Sequence, residues 1–483
     1  MNLVSLKTAV ALPEIFIAAM ASLILIVGLF LREDSRDRTC YWLSLLTLVA
    51  TAALTFDGIV GSPISAFNGL FISDPMSALL KIAVCLISAT VFVYSRQYNL
   101  DRDIFKSEYY VLGLFSVAGM MVMISADHLL TLYLGLELMS LCLYAMIAFY
   151  RDDKLAVESA MKYFVLGALA SSILLYGMSL IYGLTGSLEL GAISNTLSAI
   201  DQSNLALALA VVFVVVSLAF KLGVVPFHMW VPDVYQGAPT STTAFMGSVP
   251  KIAAFAIIVR LLVGGLGELH EMWQQMLIIL AILSVAVGNI IAIAQDNLKR
   301  MLAYSTISHM GFFLFGILSG TDAGYSASLF YVIIYATMSA AAFGLILCLS
   351  SKNNEYDKLS DLAGLSRRNP GLALLLLILM LSMAGIPPTA GFFAKLSVIQ
   401  SLINAGLIWV AVTAVILAVI GAYYYLRVIK LAYFDSPVNE TPVSARSDSK
   451  AVLTVNILLI VAILPWIGTL ISICNDVIAG FGV

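Results

Sequence analysis

Five ionisable residues lie deep within long apolar segments of the sequence: Glu137, Lys221, Lys251, His309 and Lys395. Placing one lysine or aspartate at the centre of a membrane helix costs about 2.5–3.5 kcal/mol, so such residues face a protein interior and are functional candidates. Because desolvation and neighbouring charges shift their protonation equilibria, these side chains suit proton transfer. We therefore expect a proton relay through the apolar layer, although His309 has an equally good explanation as a hydrogen-bonded core residue.

Other polar residues of these segments have structural explanations that compete with a functional one. Lys162 follows Glu158 by one helical turn, and this spacing favours an ion pair that either reaches the membrane interface or assists the relay. His228 is a further auxiliary candidate. Lys81 lies near the start of its segment, where we expect it to reach the interface or to pair with Asp74.

The composition places these segments in a membrane. Of the 483 residues, 61% are hydrophobic and 11% are charged, and the mean hydropathy is +1.01. Soluble domains are about 45–50% apolar and about 25% charged, which excludes a soluble globular enzyme. The net charge of -3 argues against a nucleic-acid partner, and no glycine-rich nucleotide-binding motif is present. The five cysteines form no C-x-x-C pair, which argues against disulfides and iron–sulfur ligands.

Apolar runs of about 17–25 residues, separated by polar or turn-forming breaks, predict fourteen membrane-spanning helices. They lie near residues 11–31, 40–57, 75–95, 109–125, 128–150, 160–184, 204–235, 241–263, 273–294, 299–319, 325–350, 371–404, 405–433 and 452–479. Backbone polar groups in lipid must be satisfied within their own segment, so the expected fold is an all-α polytopic bundle in the lipid bilayer.

Basic residues divide the loops into two alternating sets. Nearly all loop arginines and lysines are in odd-numbered loops, whereas even-numbered loops contain none apart from Arg260, just inside the end of span 8. Cytoplasmic loops carry the positive excess. The odd loops are therefore expected in the cytoplasm and both termini on the opposite side, and only Lys7 argues against this orientation.

Spans 7 and 12 contain sequences that interrupt a helix. Span 7 holds Gly223 and Pro226, and span 12 holds Gly385 followed by Pro387 and Pro388. Proline removes a backbone donor and clashes with the preceding turn, so each site predicts either a kink or a full break. Interrupted helices at matching positions in two halves are typical of inverted-repeat transporters, and a separation of five spans gives the halves opposite orientations.

The expected inverted repeat divides the chain into four predicted parts. Residues 1–108 would form an N-terminal three-helix segment, and residues 109–264 a first repeat of five helices. Residues 265–433 would form the second, inverted repeat, followed by a C-terminal loop and helix at residues 434–483.

Several of these segments are similar to a known family. Residues 221–240, with the sequence KLGVVPFHMWVPDVYQGAPT, resemble the span 7 signature of the antiporter-like subunits of respiratory complex I, the NADH:quinone oxidoreductase. Further similar motifs are YSTISHMG at residues 304–311, GIPPTAGF at residues 385–392 and YYYLR at residues 423–427. The resemblance covers nearly the whole chain in order, and the full set of spans is typical of the bacterial proteins.

The resemblance implies a proton-pumping membrane-arm subunit with defined residue roles. Glu137 matches the family's span 5 glutamate, Lys221 and Lys251 match its lysines of spans 7 and 8, and Lys395 matches its span 12 lysine. From depth, pairing and motif together, we expect Glu137 to modulate Lys221 and both Lys221 and Lys251 to carry protons at the centre. We expect His309 to relay protons and Lys395 to be the terminal donor.

The resemblance also implies cofactors, partners and a location. No cofactor is expected in this chain, because NADH, flavin, iron–sulfur clusters and quinone belong to partner subunits. The expected partners are the other membrane-arm subunits of complex I, including antiporter-like neighbours. The expected location is the inner membrane of a bacterium.

Two other functions remain open at this point. A subunit of a multi-subunit Na⁺/H⁺ antiporter would share the broken helices and the buried lysines, although the sequence QGAP at residues 236–239 favours complex I. A passive scaffold would use its lysines only for pairing. Removing a charge from such a scaffold would impair assembly without a specific effect on pumping.

Overall fold

The structure is a computed structural model that describes residues 7–201, 203–352, 355–437 and 447–481. Within these residues the fold is a helical bundle with one small antiparallel sheet, in which β1 (Ile64–Ala66) pairs with β2 (Phe71–Ser73). The prediction of an all-α polytopic membrane protein is confirmed.

The helices follow one another along the chain with short connections. Those of the N-terminal part and the first predicted repeat are α1 (Leu12–Phe30), α2 (Glu33–Thr55), α3 (Pro75–Asp101), α4 (Ser107–Ile124), α5 (Leu129–Ile147), α6 (Lys154–Thr185), α7 (Leu190–Leu197), α8 (Leu205–Leu222), α9 (Trp230–Gly237) and α10 (Thr240–Ile258). The remaining helices are α11 (His270–Ile293), α12 (Leu298–Ile317), α13 (Asp322–Leu349), α14 (Leu365–Arg368), α15 (Pro370–Ala384), α16 (Ala390–Asn404), α17 (Ile408–Phe434), α18 (Ser447–Ala462) and α19 (Ile467–Ala479).

Eleven helices in the described part of the chain are long and apolar enough to cross a membrane, or twelve if the bent pair α18–α19 is one span. The two other predicted spans correspond to α12 and to the interrupted segment α15–α16. Every residue of α12 except Arg300 is buried, so this helix is surrounded by protein and needs no apolar surface toward lipid. The exact number of fourteen spans stays a prediction.

The centre of the bundle is formed by α10, α12 and α13. All residues of α10 are buried, and α10 packs between α3 and α13. By contrast, α6 and α17 expose many large apolar side chains on the outside of the bundle. The outer helices thus present apolar surface to lipid or to other subunits, while the candidate relay residues of α10 and α12 are enclosed.

Contacts between loops divide the bundle into two polar faces. Odd-numbered loops meet each other on one face, where Asn297 of loop 9 bonds to Asp357 of loop 11. Even-numbered loops meet on the other face, where Arg260 contacts Asp74 of loop 2 and β2 pairs with residue Ala126 of loop 4. This arrangement agrees with the alternation of basic residues, and which face is cytoplasmic remains a proposal.

Both predicted helix breaks are present and share one local geometry. α8 ends at Leu222 and α15 ends at Ala384. The glycines that cap them, Gly223 and Gly385, have φ values of 78° and 81°, which favour glycine. At each end two backbone N–H groups turn back to carbonyls of the last turn, as in a Schellman cap. Spans 7 and 12 are therefore true breaks and not only proline kinks.

The two predicted repeats also share a close helix crossing. A Cβ atom at Gly119 of α4 or at Gly135 of α5 would lie 2.6 Å from a backbone nitrogen of the other helix. Gly288 of α11 and Gly311 of α12 make the equivalent close approach in the second half. The pair α4–α5 and the pair α11–α12 are thus each in direct backbone contact.

Candidate functional site

The first break places Lys221 among hydroxyl groups. Lys221 lies in the last turn of α8, and its Nζ donates hydrogen bonds to Ser140 Oγ at 3.1 Å and to Ser171 Oγ at 3.2 Å. Glu137 lies one turn before Ser140 on α5, and its buried Oε1 atom has no hydrogen-bond partner among the described residues. The structure therefore shows the Glu137–Lys221 pair without a direct ion pair, with the ammonium group held by neutral oxygens.

Lys251 binds the end of the broken helix α8. Its Nζ donates a hydrogen bond of 2.8 Å to the carbonyl oxygen of Leu222, one of the carbonyls that a helix end leaves without an intrahelical partner. The ammonium also lies 5.7 Å from the ring centre of Trp230. A cavity of about 20 Å³ is lined by both Lys221 and Lys251 and has room for one water molecule.

A group of hydroxyl side chains surrounds His309 in the second half. The Nδ1 atom of His309 lies 2.7 Å from the Tyr331 hydroxyl, and the Nε2 atom lies 3.1 Å from the Tyr425 hydroxyl. The Tyr425 hydroxyl is also hydrogen-bonded to Ser305. Both ring nitrogens are thus satisfied, and each partner hydroxyl can either donate or accept a proton.

Tyr335 connects this group to the helix that carries Lys251. The Tyr335 hydroxyl lies 2.9 Å from Thr306 Oγ1 and 3.3 Å from the carbonyl oxygen of Gly247. Gly247 precedes Lys251 by one turn of α10, and the Tyr335 ring lies 5.0 Å from the ring of His309. Helices α10 and α13, from the two predicted repeats, therefore meet at polar groups in the centre of the bundle.

Lys395 binds the end of α15, the helix before the second break, in the same way that Lys251 binds the end of α8. Its Nζ donates hydrogen bonds to the carbonyl oxygens of Met383 at 3.1 Å and Ala384 at 2.9 Å. The ammonium lies 5.2 Å from the ring centre of Phe312, which stacks on Tyr331. Lys395 is consequently linked through aromatic contacts to the partners of His309.

The auxiliary candidates Lys162, Glu158 and His228 make none of the contacts described above for Lys221, Lys251, His309 and Lys395. Lys162 and Glu158 form the expected ion pair at 2.8 Å, but both side chains are exposed. Lys162 also binds Asp233, which in turn binds Arg300 at 2.8 Å, and the sequence analysis missed both partners. His228 follows the first break, and its Nδ1 atom has no hydrogen-bond partner within the described ranges.

The structure contains two buried ion pairs that the sequence analysis did not predict. Lys81 contacts Glu14 at 2.6 Å, so the expectation that it pairs with Asp74 or reaches the interface is wrong. Asp74 instead binds the buried Arg260 at 2.9 Å. Glu14 was missed because it stands at the start of span 1, where a charge needs no special explanation.

A third polar cluster lies on the face of the odd-numbered loops. Glu355 binds Lys299 at 3.4 Å and Arg102 at 3.6 Å, and it accepts hydrogen bonds from Tyr98 and Thr240. Burial raises the pKa of the Glu355 carboxyl, but the Lys299 charge, the Thr240 hydrogen bond and the Arg102 charge together hold it below its ordinary value. Glu355 is thus an anionic anchor for loop 11.

The candidate site offers no obvious metal centre. Within the part of the chain that the structure describes, no three histidine, cysteine, aspartate or glutamate residues lie together as metal ligands would. The five cysteines are buried as free thiols. The buried groups of the site therefore consist of amines, one imidazole, one carboxyl and hydroxyls, all of which exchange protons with water or with each other.

Sequence comparison relates this chain to proteins of known family. Residues 126–421 match the family described as NADH:quinone oxidoreductase/Mrp antiporter, TM. The NADH-quinone oxidoreductase subunit N of Thioalkalivibrio sulfidiphilus is 55% identical over 97% of this chain and 98% of its own length. The same subunit of Thiobacillus denitrificans is 53% identical over 99% of both chains.

Structural comparison gives the same relationship. A chain of respiratory complex I from Thermus thermophilus with bound aureothin is 31% identical, with a TM-score of 0.82, and the match covers 95% of this chain and 98% of that one. A chain of the Mrp complex from a Dietzia species shares the fold with a TM-score of 0.83, at 21% identity over 98% of this chain and 97% of that one. The chain therefore belongs to the NADH:quinone oxidoreductase/Mrp antiporter family, and within it to the NADH-quinone oxidoreductase subunit N proteins.

Proposed function

We propose that this chain is a proton-translocating membrane subunit of an NADH-quinone oxidoreductase. The observation that carries the proposal is a row of proton-exchanging groups between the two broken helices, from Lys221 to Lys395. Lys251 and His309 of this row are buried, and Lys221 and Lys395 are partly buried. Each break ends at carbonyl oxygens that bind a lysine. The high identity to subunit N proteins supports this assembly over a Na⁺/H⁺ antiporter, to which the likeness is one of fold.

We assign a role to each residue of the row. Glu137 modulates the charge of Lys221, whose ammonium group is held by the neutral hydroxyls of Ser140 and Ser171. Lys221 and Lys251 carry protons across the cavity that they share. His309 relays protons through the hydroxyls of Tyr331 and Tyr425, and Lys395 is the terminal donor.

The energy for translocation comes from outside this chain in our proposal. Moving one charge against the membrane potential costs about 2.3 kcal/mol per 100 mV. NADH, flavin, iron–sulfur clusters and quinone would be held by partner subunits, and this chain would act as the translocating part without its own redox centre. Its partners would be the other membrane-arm subunits, including antiporter-like neighbours, in the inner membrane of a bacterium.

The proposal includes the division and orientation of the chain. The N-terminal segment, residues 1–108, would precede the repeats at residues 109–264 and 265–433, and residues 434–483 would close the chain. The matched breaks and the matched glycine crossings support two equivalent halves. The face with the basic loops would be cytoplasmic and both termini would be periplasmic, as the positive-inside rule predicts.

The first test is purification of the affinity-tagged chain in mild detergent. We expect co-purification of many subunits and NADH:quinone reductase activity. Lys221→Ala and Glu137→Ala should then reduce NADH-driven proton pumping in reconstituted vesicles. Full pumping by both variants would contradict the assigned roles, and a stable assembly without NADH oxidation but with sodium-dependent proton exchange would favour the antiporter.

A further inference from the structure

Trp230, the first residue of α9, binds the end of the helix that precedes the first break. It is 2% exposed, and its indole Nε1–H donates a hydrogen bond of 3.0 Å to the carbonyl oxygen of Phe220 in the last turn of α8. The backbone N–H of Gly223 donates to the same oxygen. The last turn of a helix leaves carbonyl groups without an intrahelical partner, so the indole serves as a side-chain cap of α8.

Aromatic packing fixes the orientation of this indole. The Trp230 ring stacks on the ring of Tyr163 from α6, with 4.5 Å between the ring centres and 21° between the planes. Its centre also lies 5.7 Å from the ring centre of Phe220. On α10, the Lys251 ammonium lies 5.7 Å from the centre of the indole, and the ring attracts this charge. One side chain thus contacts three helices at the site of Lys251.

The two breaks differ in the side chains that bind the preceding helix. At the end of α15, Lys395 donates hydrogen bonds to two carbonyl oxygens. At the end of α8, Lys251 donates to one carbonyl oxygen, that of Leu222, and Trp230 donates to another, that of Phe220. The indole therefore shares at the first break a capping task that Lys395 performs with two hydrogen bonds at the second.

This difference matters because a lysine that carries protons alternates between a charged and a neutral form, whereas the indole N–H is a permanent donor. The partial negative charge at the end of a helix binds an ammonium more strongly than a neutral amine. When Lys251 loses its proton, its contact with Leu222 therefore weakens, while the bond from Trp230 to Phe220 does not depend on that charge. The end of α8 then keeps its shape, and the acceptor for the next ammonium stays in place.

We propose that Trp230 is a positioning residue for proton transfer by Lys251. This proposal rests on the proton-translocating function stated above and adds a residue that keeps the binding site of the lysine intact through the cycle. In each cycle the Lys251 amine gains one proton and loses one. Trp230 exchanges no proton with it, and no electrons move.

The test uses the assembled complex that contains this chain, with NADH oxidation by a soluble artificial acceptor as the measure of assembly. Trp230→Phe keeps an aromatic ring but removes the donor to Phe220. We expect the rate of NADH-driven proton pumping per assembled complex to fall roughly fivefold. Trp273→Phe is the matched control, because Trp273 is also buried and its indole donates to a backbone carbonyl, that of Leu266, at 3.0 Å. Trp273 lines a cavity at the face of the even-numbered loops, and its replacement should leave pumping unchanged.

An isosteric change at the same position isolates the indole donor from the packing. Benzothienylalanine, a tryptophan analogue with sulfur in place of the N–H, keeps the shape of the ring when it replaces Trp230. Because this change leaves no cavity, it tests the donor even where Trp230→Phe does not assemble, and pumping should fall by a similar factor. A ring-fluorinated tryptophan keeps the N–H and should retain pumping.

The double variant Trp230→Phe and Lys251→Met tests whether Trp230 acts through the lysine. It should pump no more slowly than Lys251→Met alone, because a residue that acts only through Lys251 has no effect in its absence. Normal pumping by assembled Trp230→Phe or with benzothienylalanine, or an additional loss in the double variant, would overturn the proposal. If Lys251→Met itself pumps normally, the proposed function fails, and not only the role of Trp230.

Discussion

Lys251 donates a 2.8 Å hydrogen bond to the carbonyl oxygen of Leu222, the residue at which the broken helix α8 ends. Lys395 makes the same kind of contact with Ala384 at the end of α15. The C-terminus of a helix carries a partial negative charge, so each break creates a binding site for an ammonium group without using a carboxylate. The helix breaks and the lysines bound to them are therefore parts of one arrangement.

Replacement of Lys251 tests the central position of the row. In Lys251→Met the side chain keeps a similar length but can neither bind Leu222 nor carry a proton. We expect NADH-driven proton pumping to fall at least about tenfold, which equals ~1.4 kcal/mol in the transfer barrier. Vesicles containing the purified complex and a pH-sensitive dye measure this rate. Lys430→Met is the control, since Lys430 is exposed and should tolerate the change.

Replacement of Gly385 tests the geometry of the second break. A Cβ atom at this position would lie 2.7 Å from Cδ of Lys395, and the φ of 81° costs a non-glycine residue about 1–2 kcal/mol. Gly385→Ala should therefore displace Lys395 from its carbonyl partners and reduce pumping more than NADH oxidation. Gly183→Ala in the open face of α6 should change neither rate. Equal behaviour of the two variants would show that the break tolerates a side chain.

The hydroxyl partners of His309 provide a third test. Tyr425→Phe removes the group that lies 3.1 Å from Nε2 and leaves the aromatic packing in place. If the hydroxyl passes protons to or from the imidazole, the pumping rate should decrease, with little change in thermal stability. Tyr423→Phe, on the exposed side of the same helix, is the matched control. A loss of stability without a specific loss of pumping would assign Tyr425 to packing.

The Asp74–Arg260 pair tests the structural role of a buried charge. Both side chains are 2% exposed, so Asp74→Asn leaves the guanidinium buried without its counter-charge. Breaking a buried pair in this way typically costs about 3–5 kcal/mol, and we expect a lower thermal unfolding midpoint of the purified complex. The surface variant Asp435→Asn should leave the midpoint unchanged. A midpoint that stays the same for Asp74→Asn would mean that the pair does not stabilise the contact between the start of α3 and the segment that follows α10.

The Glu355 cluster predicts how loop 11 responds to acid. The pKa of this carboxyl is lower in the folded protein than its ordinary value of 4.5, so its stabilising effect is complete above pH 4.5 and is lost as the pH falls below that value. The protection factors of residues 355–368, which are exchange rates corrected for the intrinsic pH dependence of amide exchange, should therefore fall on acidification. In Glu355→Gln the exchange should already be fast at neutral pH and should change less with acid.

Sequence patterns identified the ionisable residues and the two helix breaks, but they did not identify the hydrogen-bond and ion-pair partners of those residues. The prolines that follow Gly223 and Gly385 predicted both interruptions, because proline removes a backbone donor and clashes with the preceding turn. The hydroxyl partners of His309 come from α13 and α17, and residues so distant in the chain have no spacing pattern that relates them. The same reason explains why Lys81 was assigned to Asp74, its neighbour in sequence, and not to Glu14 on another helix.

The glycine crossings described above also limit which parts of the bundle can move. At Gly119 and Gly135 the backbones of α4 and α5 touch, and at Gly288 and Gly311 those of α11 and α12 do the same. Two helices in such contact cannot slide past one another without a steric clash, so each pair behaves as a stiff unit. Glu137 belongs to one unit and His309 to the other. Any cycle of opening and closing between them must use side-chain rotation or bending at the two interrupted helices.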